Sequence, residues 1–387
     1  MQGMSATQVP GPGANVAARR KDLGLSQVAL ARRAGVSVSL LSKIEVGDRA
    51  LSQGVGASLA QAMNLTLDEL LGSSPEKDLG DLNWAIRRFD IPGDPPEHPE
   101  NLQQEVDELN RLRWSTELSK VLLRAPSLLT RVTNHAHLSG EPKAWTLVAD
   151  VYGVVYWLAA RHRWMHLAEL ATMKQRVAAS RADPIAAIVA ARDEAGTFLN
   201  SGDFEGGLAV VDRAVVQTES ILTGRDRAYG LGILHLRGLT LAGRLKDKRT
   251  TSRHTAAAWR AAAEFSEDIA EHGIHFGAEN TATHVISTAS DMEQHHRATD
   301  AAENLLRGGM SLPATRVGPV YMNLGRSQLA LGNLEGALES LENAWKAAPE
   351  MAAVHPTSLE LARVLVSRHK RSNERLTKLV KRAGIAI

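Results

Sequence analysis

The sequence contains no cysteine, which excludes disulfides, thiolate-bound zinc, iron–sulfur clusters and a thiol nucleophile together. That absence suits a reducing compartment, and a cytoplasmic protein is expected. No run of 18 apolar residues occurs, so no membrane span is expected. The first 13 residues hold no basic residue and no apolar stretch of signal-peptide length; their Gly and Pro read as a flexible leader. Aromatic residues make up only 4%, while alanine is abundant, a composition suited to close helix–helix packing. Missing too are a G-x-x-x-x-G-K-[ST] loop, a G-x-G-x-x-G after a strand and a G-x-S-x-G elbow. No enzyme activity and no cofactor are therefore expected. His162 and His166 stand four apart as zinc-binding histidines do on a helix, but no Glu follows the first and no third ligand is evident, so no metal site is expected.

What is present is ordinary for a globular chain: 387 residues, 44% apolar and 23% charged. That length exceeds what one hydrophobic core usually supports, so at least two folding units are expected. The net charge of +2 conceals a polarity. Residues 14–72 carry +2 and residues 368–382 carry +6; subtracting both from the total leaves −6 for the remainder. Nucleic acid should prefer the ends.

Residues 14–72 break into short helical patterns at Gly24, Gly35, Gly47 and Asn64, enough for five helices. Within them, Leu25 to Gly47 is the informative run. Ser26 is placed to N-cap one helix whose Leu30 and Ala31 form a buried stripe, and Gly35 supplies the positive φ of a sharp turn. Ser37 can cap the next helix, with Leu40, Leu41 and Ile44 inward and Val38, Ser39, Ser42 and Lys43 outward, and Gly47 would end it. A helix joined steeply to its predecessor and showing a short polar face with one cation is what the major groove of double-stranded DNA admits.

At these residues the sequence resembles the XRE, phage-repressor-like helix-turn-helix family. The resemblance implies that Gln27 contacts phosphate, that Val38, Ser39 and Lys43 face base edges, and that Ser37, Ser42 and Arg49 lie near phosphates. It further implies a structural pair between Arg20 and Glu45. Two departures from the family stand out: the customary proline is missing around Ala50 and Leu51, and Gly54 and Gly56 weaken the fourth helix. Gly costs about 1 kcal/mol in a helix interior, so that helix must lean on Leu59, Ala60 and Met63. With +2 on the domain, one copy would neutralise few phosphates. A homodimer reading an inverted repeat is therefore expected.

Residues 73–100 read as a linker ending in a proline-rich crossing with Pro92, Pro95, Pro96 and Pro99. Residues 101–387 read as helix nearly to the end, giving an all-α chain. Tyr321–Pro349 places Leu324, Gly325, Ala337, Leu341, Ala344 and Pro349 at tetratricopeptide offsets around a Gly332-Asn333 turn, and Gly202-Asp203 repeats that turn 130 residues earlier. Turn points near His162, Gly202, Gly243, Glu293 and Gly332 suggest about five hairpins in a curved α-solenoid, capped by a basic terminal helix with Leu376, Leu379 and Val380 on one face.

The first helix of each hairpin should line the concave side. The register of the last repeat selects Asn323 and Arg326, and earlier repeats offer Tyr152, Tyr156, Arg192 and Arg237. Such side chains suit a peptide, small-molecule or protein ligand. A helix-turn-helix followed by repeats is similar in layout to the peptide-pheromone receptors of Gram-positive bacteria and to actinobacterial regulators. The expectation is a transcription regulator whose repeats dimerise and sense a ligand. Alternatives are a protein-interaction scaffold or an antitoxin-like repressor, with the helix-turn-helix as tether.

Overall fold

Short helices divided by left-handed turns account for almost all of the computed structural model, which describes residues 12–46, 53–63, 65, 75–368 and 373–382. Two compact units emerge, Met1–Gly80 with Val380–Ile387, and Asp81–Leu379. Among the described residues there are twenty α-helices and one two-stranded sheet, and none of the helices is long and apolar enough to cross a membrane.

The first unit contains α1 (Pro12–Asp22), α2 (Gln27–Ala34), α3 (Val38–Val46) and α4 (Gln53–Ala62). Ser26 Oγ accepts the Ala29 N–H at 3.1 Å, and Ser37 Oγ accepts the Leu40 N–H at 3.1 Å, so α2 and α3 each begin on a serine cap. Gly35 ends α2 at φ 66° and ψ 27°, the left-handed region where a side chain is disfavoured. Val16, Leu30, Ala31, Leu41, Leu59, Ala60 and Met63 fuse the four helices into one core. The last three of these offset the glycines of α4. The expected cap at Gly47 and the fifth short helix lie outside the described residues.

The stretch read as a linker is partly helical: α5 spans Pro75–Arg87. Pro75 opens this helix, where an N–H would have no partner anyway, and Leu82, Ala85, Ile86 and the following Phe89 are buried at helical spacing. The Phe89 ring packs on Trp145 and Tyr152. Beyond it the prolines hold the chain non-helical up to a 3-10 turn at Pro99–Asn101.

Helical hairpins follow: α6 (Leu102–Trp114) with α7 (Leu118–Ser139), α8 (Pro142–His162) with α9 (Met165–Ala179), α10 (Pro184–Ser201) with α11 (Phe204–Ile221). Next come α12 (Gly224–Arg244) with α13 (Lys248–Ala262), α14 (Ala278–Asp291) with α15 (His295–Arg307), and α16 (Ala314–Ala330) with α17 (Leu334–Ala347). Each pair reverses on a residue at positive φ, in order Thr116, Arg163, Gly202, Lys246, Glu293 and Gly332. There are thus six hairpins, not five. The first escaped the sequence reading, which placed no turn near Thr116. The turns read near His162 and Gly243 are centred on Arg163 and Lys246.

Three short helices, α18 (Pro349–Val354), α19 (Pro356–Arg368) and α20 (Glu374–Arg382), complete the chain. Here the repeats depart from an open curve. The Ser119 N–H at the start of α7 donates to Glu350 Oε2 at 2.9 Å, α6 packs on α16, and α8 packs on α18. The first hairpin therefore meets the last, and the six close around a central basin. Arg375 of α20 forks onto Glu342 and also reaches Glu335, both on α17.

An all-helical reading did not foresee one insertion. Strands β1 (Ile269–Glu271) and β2 (Ile274–Phe276) pair antiparallel, with Ile269 opposite Phe276 and Glu271 opposite Ile274. The two turn residues, His272 and Gly273, have φ of 48° and 70°, the double left-handed geometry of a type I′ hairpin. Trp114 Nε1 donates to the Gly273 carbonyl at 3.1 Å, and the Tyr229 hydroxyl sits 2.6 Å from the Glu271 carbonyl and 3.0 Å from that of Ile274. Phe276 fills the space over Gly232 of α12, where an added Cβ would lie 2.0 Å from the ring. Gly232→Ala should cost about 1–3 kcal/mol by overpacking, seen as a lowered denaturation midpoint.

His272 Nδ1 lies 2.9 Å from Asp150 Oδ1. Burial pushes the ring down, but the hydrogen bond and charge of Asp150, with Asp183 and Glu271 behind, more than offset this and raise it above its ordinary value. A raised imidazole stabilises the fold below the unfolded value of about 6.5 and loses that contribution as pH climbs through the folded value. The stability gap between wild type and His272→Gln should therefore be wider at about pH 6 than at about pH 9, as followed by thermal melting.

Candidate functional site

Two regions gather the side chains singled out from the sequence, one in each unit. In the first unit, the outer side of α3 presents Val38, 40% exposed, with Ser39 and Lys43 also exposed and Ser42 half-buried. Ser37 is exposed and committed to its capping bond. Arg49 lies outside the described residues.

What holds that face in place is an ion pair between helices. Arg20 on α1 sends Nε to Glu45 Oε1 at 2.6 Å and Nη2 to Oε2 at 2.9 Å, while Nη1 donates to the Leu25 carbonyl at 2.7 Å. One guanidinium thus ties together the start of the motif, the loop before α2 and the end of α3. The side chains are only 11% and 5% exposed, so this bidentate pair is shielded from salt. Gln27 Nε2 adds a third bond to Glu45 at 2.8 Å. Burial pushes the Glu45 carboxyl up, but the bonds from Arg20 and Gln27 and the charges of Arg20 and Lys21 bring it below the usual carboxylate range. The bond from Glu45, helped by its charge, raises Arg20 against an opposing effect of burial. Gln27, expected at phosphate, has one amide hydrogen engaged inside the domain.

In the second unit, the first helices of the hairpins line the central basin, with a cavity volume of about 440 Å³. Of the six residues selected by register, Tyr156, Arg192, Arg237 and Asn323 line it. Tyr152 does not; it is fully buried and packs on Phe89. Nor does Arg326, whose Nε bonds Ser290 Oγ at 2.8 Å and whose Nη2 pairs with Asp291 at 2.6 Å, tying adjacent hairpins. Four basin arginines on the helices, Arg113, Arg161, Arg244 and Arg316, and Arg163 at a turn were not anticipated. Two were within reach: Arg244 stands seven residues after Arg237, and Arg316 seven before Asn323, two helical turns along the same face.

The basin's electrostatics are one-sided. Among the described residues, seven arginines line it and no Asp or Glu does. Arg192 pairs with the adjacent buried Asp193, and Arg244 with Asp291 at 2.9 Å. Arg237 Nε bonds the Arg192 carbonyl at 3.2 Å and Arg316 Nε bonds Asn280 Oδ1 at 2.6 Å, both neutral partners. Arg113 is 6% exposed and lies over the Trp157 ring, 5.7 Å from its centroid, and Arg161 also approaches that ring. Arg161 Nε is buried with no hydrogen-bond partner. Burial lowers Arg316 to about 9, reinforced by the charges of Arg192, Arg113, Arg161 and Arg237; it lowers Arg113 to about 10. Both remain cationic at neutral pH. Burial holds His284 and His355 well below the ordinary imidazole range, so neither adds charge.

Residues 16–70 match the Helix-turn-helix family model. No curated protein matches the chain. Among solved structures, PlcR of Bacillus thuringiensis in complex with the peptide PapR7 and DNA is 12% identical, with 94% of this chain and 100% of that one covered and a TM-score of 0.31. The APC/C hetero-tetramer Cut9–Hcn1 is 12% identical over 89% of this chain and 66% of that one, TM-score 0.40. The apo form of the competence regulator ComR of Streptococcus vestibularis is 13% identical over 97% and 98%, TM-score 0.19. Likenesses of this degree establish nothing about what this chain binds.

Removing one partner of a buried ion pair leaves the other charge unmatched, at a cost of about 3–5 kcal/mol. Arg20→Ala should therefore unfold the first unit at lower denaturant while the melting of the second unit is unchanged, resolved by site-specific fluorescence probes in each. Arg20→Lys should recover only part, because an ammonium cannot fork onto both Glu45 oxygens and the Leu25 carbonyl.

Proposed function

We propose that this chain, with a helix-turn-helix domain over residues 16–70, is a sequence-specific DNA-binding transcription regulator. The observation that carries the reading is the outer side of α3: a serine-capped helix, locked from behind by Arg20 and Glu45, with Val38, Ser39 and Lys43 turned to solvent. A major groove admits one helix, and base edges are read by a few short side chains on it. Lys43 suits guanine O6 and N7, and Val38 the methyl of thymine. Ser37, Ser42 and Arg49 fit flanking phosphates. Gln27 retains a second amide hydrogen for the same purpose.

Two copies reading an inverted repeat supply the phosphate contacts that one weakly charged domain lacks, so a homodimer belongs to the proposal. The repeat unit serves as the sensor, and its basin, with Tyr156, Arg192, Arg237 and Asn323 among the lining residues, is where a ligand acts.

Fluorescence anisotropy on the DNA upstream of the protein's own gene, over a range of salt, tests this. Lys43→Ala should weaken specific binding by about 1–3 kcal/mol and flatten the discrimination between operator and scrambled DNA. Equal affinity and equal salt slope for wild type and variant would overturn the assignment to α3. Sedimentation of the complex should show two protomers per inverted repeat; one protomer would overturn the dimer.

A further inference from the structure

The basin is built against electrostatic preference. Like charges repel, most strongly where water is partly excluded, and five helices and one turn each bring at least one arginine to the wall of one cavity. Among the described residues, Arg113, Arg161, Arg163, Arg237 and Arg316 have no carboxylate partner, whereas elsewhere in the unit arginines such as Arg131 and Arg375 are paired with glutamate. Arg161 keeps a buried Nε with no acceptor at all. The charge of Asp193, paired with Arg192, also reaches Arg113 and Arg237; a cluster of guanidinium groups in excess of the acids around it is a site whose counter-charge arrives with the ligand.

We propose that the basin binds a small organic molecule carrying at least two phosphoryl groups. This deepens the sensor reading given above and rests on it. The closure of the first hairpin onto the last through Ser119 and Glu350 makes the space a concave basin open on one side to solvent, and a volume of about 440 Å³ is that of a small-ligand site. A phosphoryl group brings up to two charges and three acceptor oxygens that match the planar fork of arginine. One terminal carboxylate of an extended peptide would leave most of the guanidinium groups unanswered. The Ser287 hydroxyl adds a neutral donor on the same wall, those of Thr240 and Thr283 being donated to the Leu236 and Asn280 carbonyls, and Trp157 and Phe204 offer a limited apolar surface for the organic part.

The experiment uses the full chain without DNA and without divalent cations, with inorganic tripolyphosphate as the probe and a hexaglutamate peptide as the competing anion. Calorimetry should show saturable tripolyphosphate binding accompanied by a rise in melting temperature. Arg316→Gln and Arg161→Gln should each weaken it by about ten-fold or more, the loss of one charge-assisted fork, with Arg237→Gln as a third test should either variant fold poorly. Unliganded Arg161→Gln should melt no lower than wild type, since it removes a charge from a self-repelling cluster and its Nε has no hydrogen bond to lose; this is a readout that loss of a structural residue would not give. Lys43→Ala should leave the affinity unchanged. The proposal is overturned by the absence of saturable binding, by tighter binding of hexaglutamate, or by binding that follows Lys43→Ala and ignores the basin variants, which would put the anion on the DNA-reading face. Because no DNA is present, failure here leaves the operator measurement standing, and failure of operator binding leaves this one standing.

Discussion

Reversal of the chain within a few residues, through one residue held at positive φ, is the constraint on which the second unit depends. Thr116, Arg163, Gly202, Lys246, Glu293 and Gly332 all perform it. A turn that short forces antiparallel packing and brings the next first helix beside the last one, so the same face of every first helix is delivered to the same side. Four of the six turn residues have side chains, and each accepts the strain of a left-handed conformation that glycine would take at no cost.

From that geometry follows the concentration of charge. Arg192, Arg237 and Arg316 are far apart in sequence and would be solvated side chains on isolated helices. Stacking the hairpins and closing the first on the last puts them around one cavity with no carboxylate on its wall. Fold stability and basin electrostatics therefore oppose one another. The opposition is tolerated where a neutral acceptor such as Asn280 or the Arg192 carbonyl is within reach, and where a Trp157 face lies beneath a guanidinium.

The first unit uses charge in the opposite way. There the guanidinium of Arg20 is satisfied on three sides, by both Glu45 oxygens and the Leu25 carbonyl, and its purpose is to fix an angle between helices. The surface cation, Lys43, is left to solvent. The first unit thus holds a fully answered arginine, whereas in the second unit a group of arginines has no carboxylate partner among the described residues.

How much of this was legible depended on whether the signal was local. Ser26, Gly35, Ser37 and the apolar stripe of Leu30, Ala31, Leu41 and Ile44 lie within one short run, and caps, turn and core face were all readable from spacing, as was the Arg20–Glu45 pair once the family resemblance was drawn. The turns at Gly202 and Gly332 were readable because glycine announces a left-handed residue. Thr116 and Lys246 announce nothing, and α5 was hidden by reading residues 73–100 as one linker. The β-hairpin at His272-Gly273 went unseen because its three-residue strands are too short to show a period and are held by Trp114 and Tyr229, residues distant in sequence. By itself, then, the sequence determined the helices, the helix-turn-helix motif and the repeat, since those rest on contacts between near neighbours. Only the tertiary structure decided that the repeats close, that Tyr152 and Arg326 serve packing while Arg113, Arg161 and Arg316 face the basin, and that among the described residues no carboxylate pairs with them, because those outcomes are set by which distant helices come to share a space.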